Sequence, residues 1–139
     1  MRDDFFEHVF TEACEAGSAA LKEATPTPMV VVQHANQLND TSPIEKTWNV
    51  PDGVCGFAWI NVSPATQPFV RWLKKQIAKY PENSREAHNY GSKDSYYGGW
   101  TIWVSEGGQS MERKIAYAHA FGDVLNKNGI KNYVNSRMD

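Results

Sequence analysis

Two cysteines and four histidines are the side chains that nucleophilic or metal chemistry would draw on. A catalytic cysteine works as a thiolate, favoured at a helix N-terminus with a histidine in reach. Cys55-Gly56-Phe57-Ala58-Trp59 lies instead in an apolar, strand-forming run, and no histidine can be assigned to it. A buried structural cysteine is expected there, and a core-edge one at Cys14. His8, His34, His88 and His119 form no HxxxH, HExxH or Cys/His zinc spacing, so neither a metal nor a cofactor is expected. His34-Ala35-Asn36 and His88-Asn89-Tyr90 both lack the His-x-Ser/Thr pattern that one class of phosphoester chemistry uses twice. No coherent catalytic constellation emerges, which favours a binding protein over an enzyme.

His34 is the most informative histidine. It closes a β-branched run and opens a polar loop with Asn36, Asn39 and Asp40, and strand ends feeding loops often host sites. With His88 and Tyr96 these residues make a candidate ligand-binding set where the His34 loop meets a 91–99 hairpin. The competing reading is a plain Asn/Asp turn. Gly107-Gly108-Gln109-Ser110 precedes a helix but lacks the P-loop and GxGxxG patterns, so a strand-to-helix turn is expected. Arg71, Lys74, Lys75 and Lys79 form a basic helix face, opposed by an N-terminal segment carrying Asp3, Asp4, Glu7, Glu12, Glu15 and Glu23. These two faces can attract one another within a monomer or across subunits. The basic face and Trp103 are the candidate partner-binding residues.

The elements that must position these groups follow from periodicity. Phe6, Phe10, Ala13, Gly17, Leu21 and Ala24 recur at helical spacing and predict a helix over 3–24, capped by Asp3 or Asp4. Gly17 costs about 1 kcal/mol of helix propensity relative to alanine, which points to close packing there. Thr25-Pro26-Thr27-Pro28 ends that helix, and Met29 to Val32 reads as a buried strand. Ile44 to Val62 reads as a hairpin around Pro51-Asp52-Gly53, with Trp48 near Gly56. Pro68 opens a helix carrying Phe69, Trp72, Leu73, Ile77 and Tyr80. Residues 85–105 read as a second hairpin, with a weak strand over 85–90 and a strong one over 96–105. In the strong strand Trp100, Ile102 and Val104 lie on one face, and Tyr97, Thr101 and Trp103 on the other. Residues 111–128 predict a helix with Ser110 as N-cap and Gly129 at its end, and 130–137 a last strand. Phe10, Ile60, Trp72, Leu73, Trp100, Ile102, Ile115 and Leu125 are the expected core.

One domain spans 1–139. Residues 1–53 supply a helix and extra strands, and 54–139 a βαββαβ, ferredoxin-like core within an α+β fold. Both core helices would cover one sheet face. Phe57, Trp59, Tyr97 and Trp103 make the other face apolar, so the N-terminal helix, extra strands or a second subunit are expected to cover or extend the sheet. Sheet aromatics in this topology suggest base stacking, but the basic-Gly-aromatic pattern is missing and the net charge is −2, which argues against nucleic acid. No apolar run approaches the ~18 residues that span a bilayer, so no membrane partner is expected. Two cysteines cannot make a disulfide framework, which favours a reducing cytoplasm.

Thr27-Pro28-Met29, His34-Ala35-Asn36 with Asn39-Asp40, Gly53 to Trp59, and Asp94-Ser95-Tyr96-Tyr97-Gly98-Gly99 carry a likeness across most of the chain. On these segments the chain resembles small uncharacterised proteins encoded by tailed bacteriophages. The resemblance implies an accessory protein acting in the host cytoplasm and assigns no catalytic residue.

Two functions follow as expectations. The first is a non-enzymatic binding protein acting on a host protein or another host macromolecule, or on itself as a homodimer through its aromatic anchors. The second is a small-ligand or nucleotide-binding domain centred on the His34 loop.

Overall fold

The computed structural model describes residues 2–34, 44–50 and 53–139. Helix α1 covers Arg2–Glu23, strands β1 and β2 cover Met29–His34 and Ile44–Val50, and β3 covers Gly56–Val62. Helices α2 (Pro68–Ile77) and α3 (Arg85–His88) follow, then β4 (Ser92–Lys93), β5 (Trp100–Trp103), α4 (Met111–Lys127) and β6 (Asn132–Met138).

The fold is α+β. Strands β4-β5-β3-β6, in that spatial order, form a four-stranded sheet whose neighbours all run antiparallel. Alternation along β3 sends Ala58, Ile60 and Val62 to the face that carries the helices. There they join Trp100, Ile102, Val104, Phe69, Leu73, Phe121 and Leu125 in the core. Of the expected core residues, Ile60, Trp72, Leu73, Trp100, Ile102 and Leu125 are buried, while Phe10 and Ile115 are half-buried and pack against them.

Local signals explain the helix ends. Pro68 sits in the first turn of α2, where its missing N–H costs nothing. The Ser110 hydroxyl accepts from Arg113 N–H at the start of α4. At its end Ile130 N–H donates to Leu125 O and Gly129 N–H to Asn126 O, with Gly129 at φ 75°. This is a Schellman closure, which needs the left-handed residue that glycine supplies. Helix α1 begins before Asp3 and Asp4, which fall inside its first turn rather than capping it.

Four further expectations change. First, β2 pairs with β1, not β3, so Trp48 lies opposite Val31 instead of near Gly56. Gly53, at φ 74°, is pressed against Thr27: a Cβ there would lie 2.6 Å from Thr27 O. It belongs to a connection between two sheets, not a hairpin turn.

Second, residues 85–88 are helical. The Ser84 hydroxyl accepts from Ala87 N–H, and this cap outweighs any strand tendency. The second hairpin shrinks to β4 and β5, joined by a 94–99 turn.

Third, α1 does not lie over the open sheet face. It packs along α4 and α2, placing Phe6 5.5 Å from Phe69 and Phe10 5.8 Å from Phe121. The extra strands form their own two-stranded sheet and do not extend the larger one. Gly17 is the reason α1 can sit so close: a Cβ there would lie 2.8 Å from the Tyr117 ring.

Fourth, Cys55 is exposed. It sits just before β3, in an isolated bridge to Ser110, where no layer covers it.

Candidate functional site

The sheet face on which none of the described helices lies carries the most distinctive surface. Register sets it: Trp59 lies opposite Trp103 and Asn135, Asn61 opposite Thr101 and Tyr133, and Phe57 opposite Arg137. Cross-strand partners share a face, so these side chains form one continuous field. The Trp59 and Trp103 ring centroids are 4.7 Å apart, and Tyr97 stacks over Trp59 at 6.4 Å. Under this cover Trp59 is only 6% exposed, whereas Trp103 is 49% and Tyr97 56% exposed. Arg137 and Lys114 both approach the Phe57 ring, at 5.5 and 5.2 Å from its centroid.

Asp94 positions the aromatic turn. Its Oδ1 accepts from the N–H groups of Tyr96 and Tyr97 at 2.9 and 2.8 Å, and its Oδ2 from Thr101 Oγ1 at 2.8 Å. The Tyr97 amide, followed by the Thr101 hydroxyl, holds the Asp94 carboxyl below the usual carboxylate range. Asn61 Nδ2 donates to Gly98 O at 2.8 Å, tying the turn to β3. Trp59, Asp94, Tyr96, Tyr97, Trp103 and Arg137 then enclose a hollow of about 380 Å³. Trp59 Nε1 and Asn61 Oδ1 are buried here without a hydrogen-bond partner. Such groups keep a desolvation cost of about 1–3 kcal/mol until something satisfies them.

Among the described residues, the hollow's lining holds no nucleophile paired with a base. Cys14 lies elsewhere, on α1, where burial pushes its thiol up, away from the reactive thiolate. Among the described residues, no group of three or more His, Cys, Asp or Glu converges to hold a metal ion, and no helix is long and apolar enough to cross a membrane.

The sequence candidates separate. Tyr96 and Trp103 meet in the aromatic hollow. His88 is exposed at the end of α3 and lines a different cleft, which Trp103 also borders. His34 ends β1, its backbone paired with Ile44. Its side chain, with Asn36, Asn39 and Asp40, lies outside the described residues. Arg71, Lys74 and Lys75 are exposed along α2, and Lys79 is exposed just beyond its end. Part of this face is engaged within the chain: Lys75 Nζ is 3.7 Å from Asp3 Oδ2, Lys79 Nζ donates to Gln76 Oε1, and Lys74 lies 5.4 Å from the Trp100 ring centroid.

Sequence reasoning missed Asp94, Asn61 and Arg137. Asp94 followed by two tyrosines and two glycines does carry an Asx-turn signal. Arg137 had none, because only the β3–β6 register brings it to Phe57. Comparison with protein-family models, with curated proteins and with solved structures finds no match for this chain.

Proposed function

We propose that this chain is a non-enzymatic binding protein, of the phage accessory kind, that works in the host cytoplasm and docks through the open face of its sheet. One observation carries the reading: the Trp59–Trp103–Tyr97 stack lies on a sheet face that none of the described helices covers, with Trp103 and Tyr97 half exposed. Aromatic anchors beside buried polar atoms are what interface centres use. The occupant is a second copy of the chain. A twofold interface needs a patch complementary to itself, and this one has an aromatic centre with Arg137 and Asp94 on its rim. The strand order β4-β5-β3-β6, with α2 and α4 on one face, supports a ferredoxin-like core, a layout that leaves the opposite face free for a partner.

Light scattering at micromolar protein in moderate salt tests the reading. A dimer is expected for the native chain and a monomer for Trp103→Asp, with unchanged far-UV circular dichroism. A native monomer throughout that range overturns self-association and leaves a host protein as the occupant.

A further inference from the structure

The edge of β5 offers a second surface. Strand β4 is two residues long and pairs only with Trp100 and Thr101. On the other side of β5, Val104 N–H donates to Ala58 O at 3.0 Å. Antiparallel ladders alternate, so Ile102 and Val104 aim their backbone groups at β3 while Trp103 and Ser105 aim theirs away. Tyr90 would continue β4 alongside Trp103, but the chain turns off there. The Tyr90 N–H donates to Ala87 O at 3.2 Å, and its carbonyl accepts from Trp100 Nε1 at 2.8 Å. Among the described residues nothing pairs with the amides and carbonyls of Trp103 and Ser105, which thus form an open strand edge.

Two hollows, of about 700 and 250 Å³, meet at this edge and share Asn89, Trp103 and Ser105 in their walls. The larger, outer one carries Arg85 and His88. The inner one is walled by rings, among them Phe10, Tyr80, Tyr90, Tyr117 and Phe121. Among the described residues, its only charged ones are Glu86 and Glu106, with no lysine or arginine in the lining. Ser18 Oγ donates to Glu106 Oε2 at 3.0 Å and fixes that carboxylate.

We propose that an extended peptide adds as a strand to the Trp103–Ser105 edge and seats a lysine or arginine side chain in the inner hollow between Glu86 and Glu106. The chemistry selects this occupant. An open ladder is matched only by another extended backbone, while pockets beside it read alternate side chains. Ring walls suit the aliphatic stem of a long cation, and the carboxylates suit its head. Arg85 repels a cation from the outer hollow, which sets where the charge goes. This surface shares Trp103 with the open-face hollow but does not rest on the self-association reading.

The test is an array of heptapeptides on an alternating Val/Thr background, varied at the central residue and read by fluorescence anisotropy with the full chain. Central lysine or arginine should bind at least about tenfold tighter than central glutamate, a difference of about 1.4 kcal/mol. N-methylation of the backbone beside the central residue should abolish binding. Glu86→Gln with Glu106→Gln should erase the charge preference, whereas Glu82→Gln, outside both hollows, should not. Amide shifts in NMR should centre on Trp103 and Ser105. No binding by any peptide, equal binding of lysine and glutamate, or shifts that miss those two amides overturns the proposal.

Discussion

Trp59 and Trp103 face each other across β3 and β5, their ring centroids 4.7 Å apart, on the side of the sheet that carries no helix. One is buried and the other half exposed, so Trp103 is the lid over Trp59. Trp103→Ala should cost about 1 kcal/mol, the scale of one aromatic pair, because much of its own area is already in water. Tryptophan emission should shift to the red as Trp59 meets solvent. An unshifted spectrum would show that Tyr97 alone covers it.

Leu125 is fully buried on the core side of α4. Leu125→Ala should cost about 2–5 kcal/mol in urea unfolding, through lost transfer energy and the cavity left behind. A loss below about half a kcal/mol would place Leu125 outside the tightly packed core.

Gly17→Ala sets two effects against each other. Helix propensity favours alanine by about 1 kcal/mol. Opposing it, the new methyl would lie 2.8 Å from a Tyr117 ring that also holds a hydrogen bond with Cys14. Overpacking should win, with a net loss of about 1–2 kcal/mol. Tyr117→Leu should remove most of the penalty in a double-mutant cycle. Additive losses would mean that the ring is not what Gly17 accommodates.

Asp94 should make the aromatic turn acid-sensitive. Its folded pKa lies below the ordinary value, so the unfolded chain takes up the proton first as pH falls. The contribution is therefore full above roughly pH 4 and is lost as pH drops through the lower, folded value. The Tyr96 and Tyr97 amide signals should titrate with that group. In Asp94→Asn this titration should vanish, while Thr101 loses its acceptor at neutral pH.

Ser110 is 2% exposed and caps α4 beside the bridge to Cys55. Ser110→Ala should cost about 1 kcal/mol of stability, the usual value of an N-cap, in thermal or urea unfolding. Ser110→Asp, which restores an acceptor, should recover part of it if the site tolerates the charge.

Local chemistry was legible in the residues alone. Stripe spacing marked α1 and α4 to within one or two residues. Pro68, Ser110 and Gly129 marked helix ends, and alternation put Trp100, Ile102 and Val104 opposite Thr101 and Trp103, whereas Tyr97 falls in the turn and not in the expected strand. Each of these rests on a few neighbouring residues, where propensity and capping act. Even the packing reason for Gly17 was readable, though not its partner Tyr117. Pairing was not. Nothing within Ile44–Val50 says that it joins Met29–His34 rather than Gly56–Val62, since either union would pair a similar set of side chains. The position of α1 along α4, the arrival of Arg137 at Phe57, and the open edge beside Trp103 were likewise decided in three dimensions. They depend on which surfaces meet after the chain has closed its long loops, and that choice is set by packing shared across the whole core.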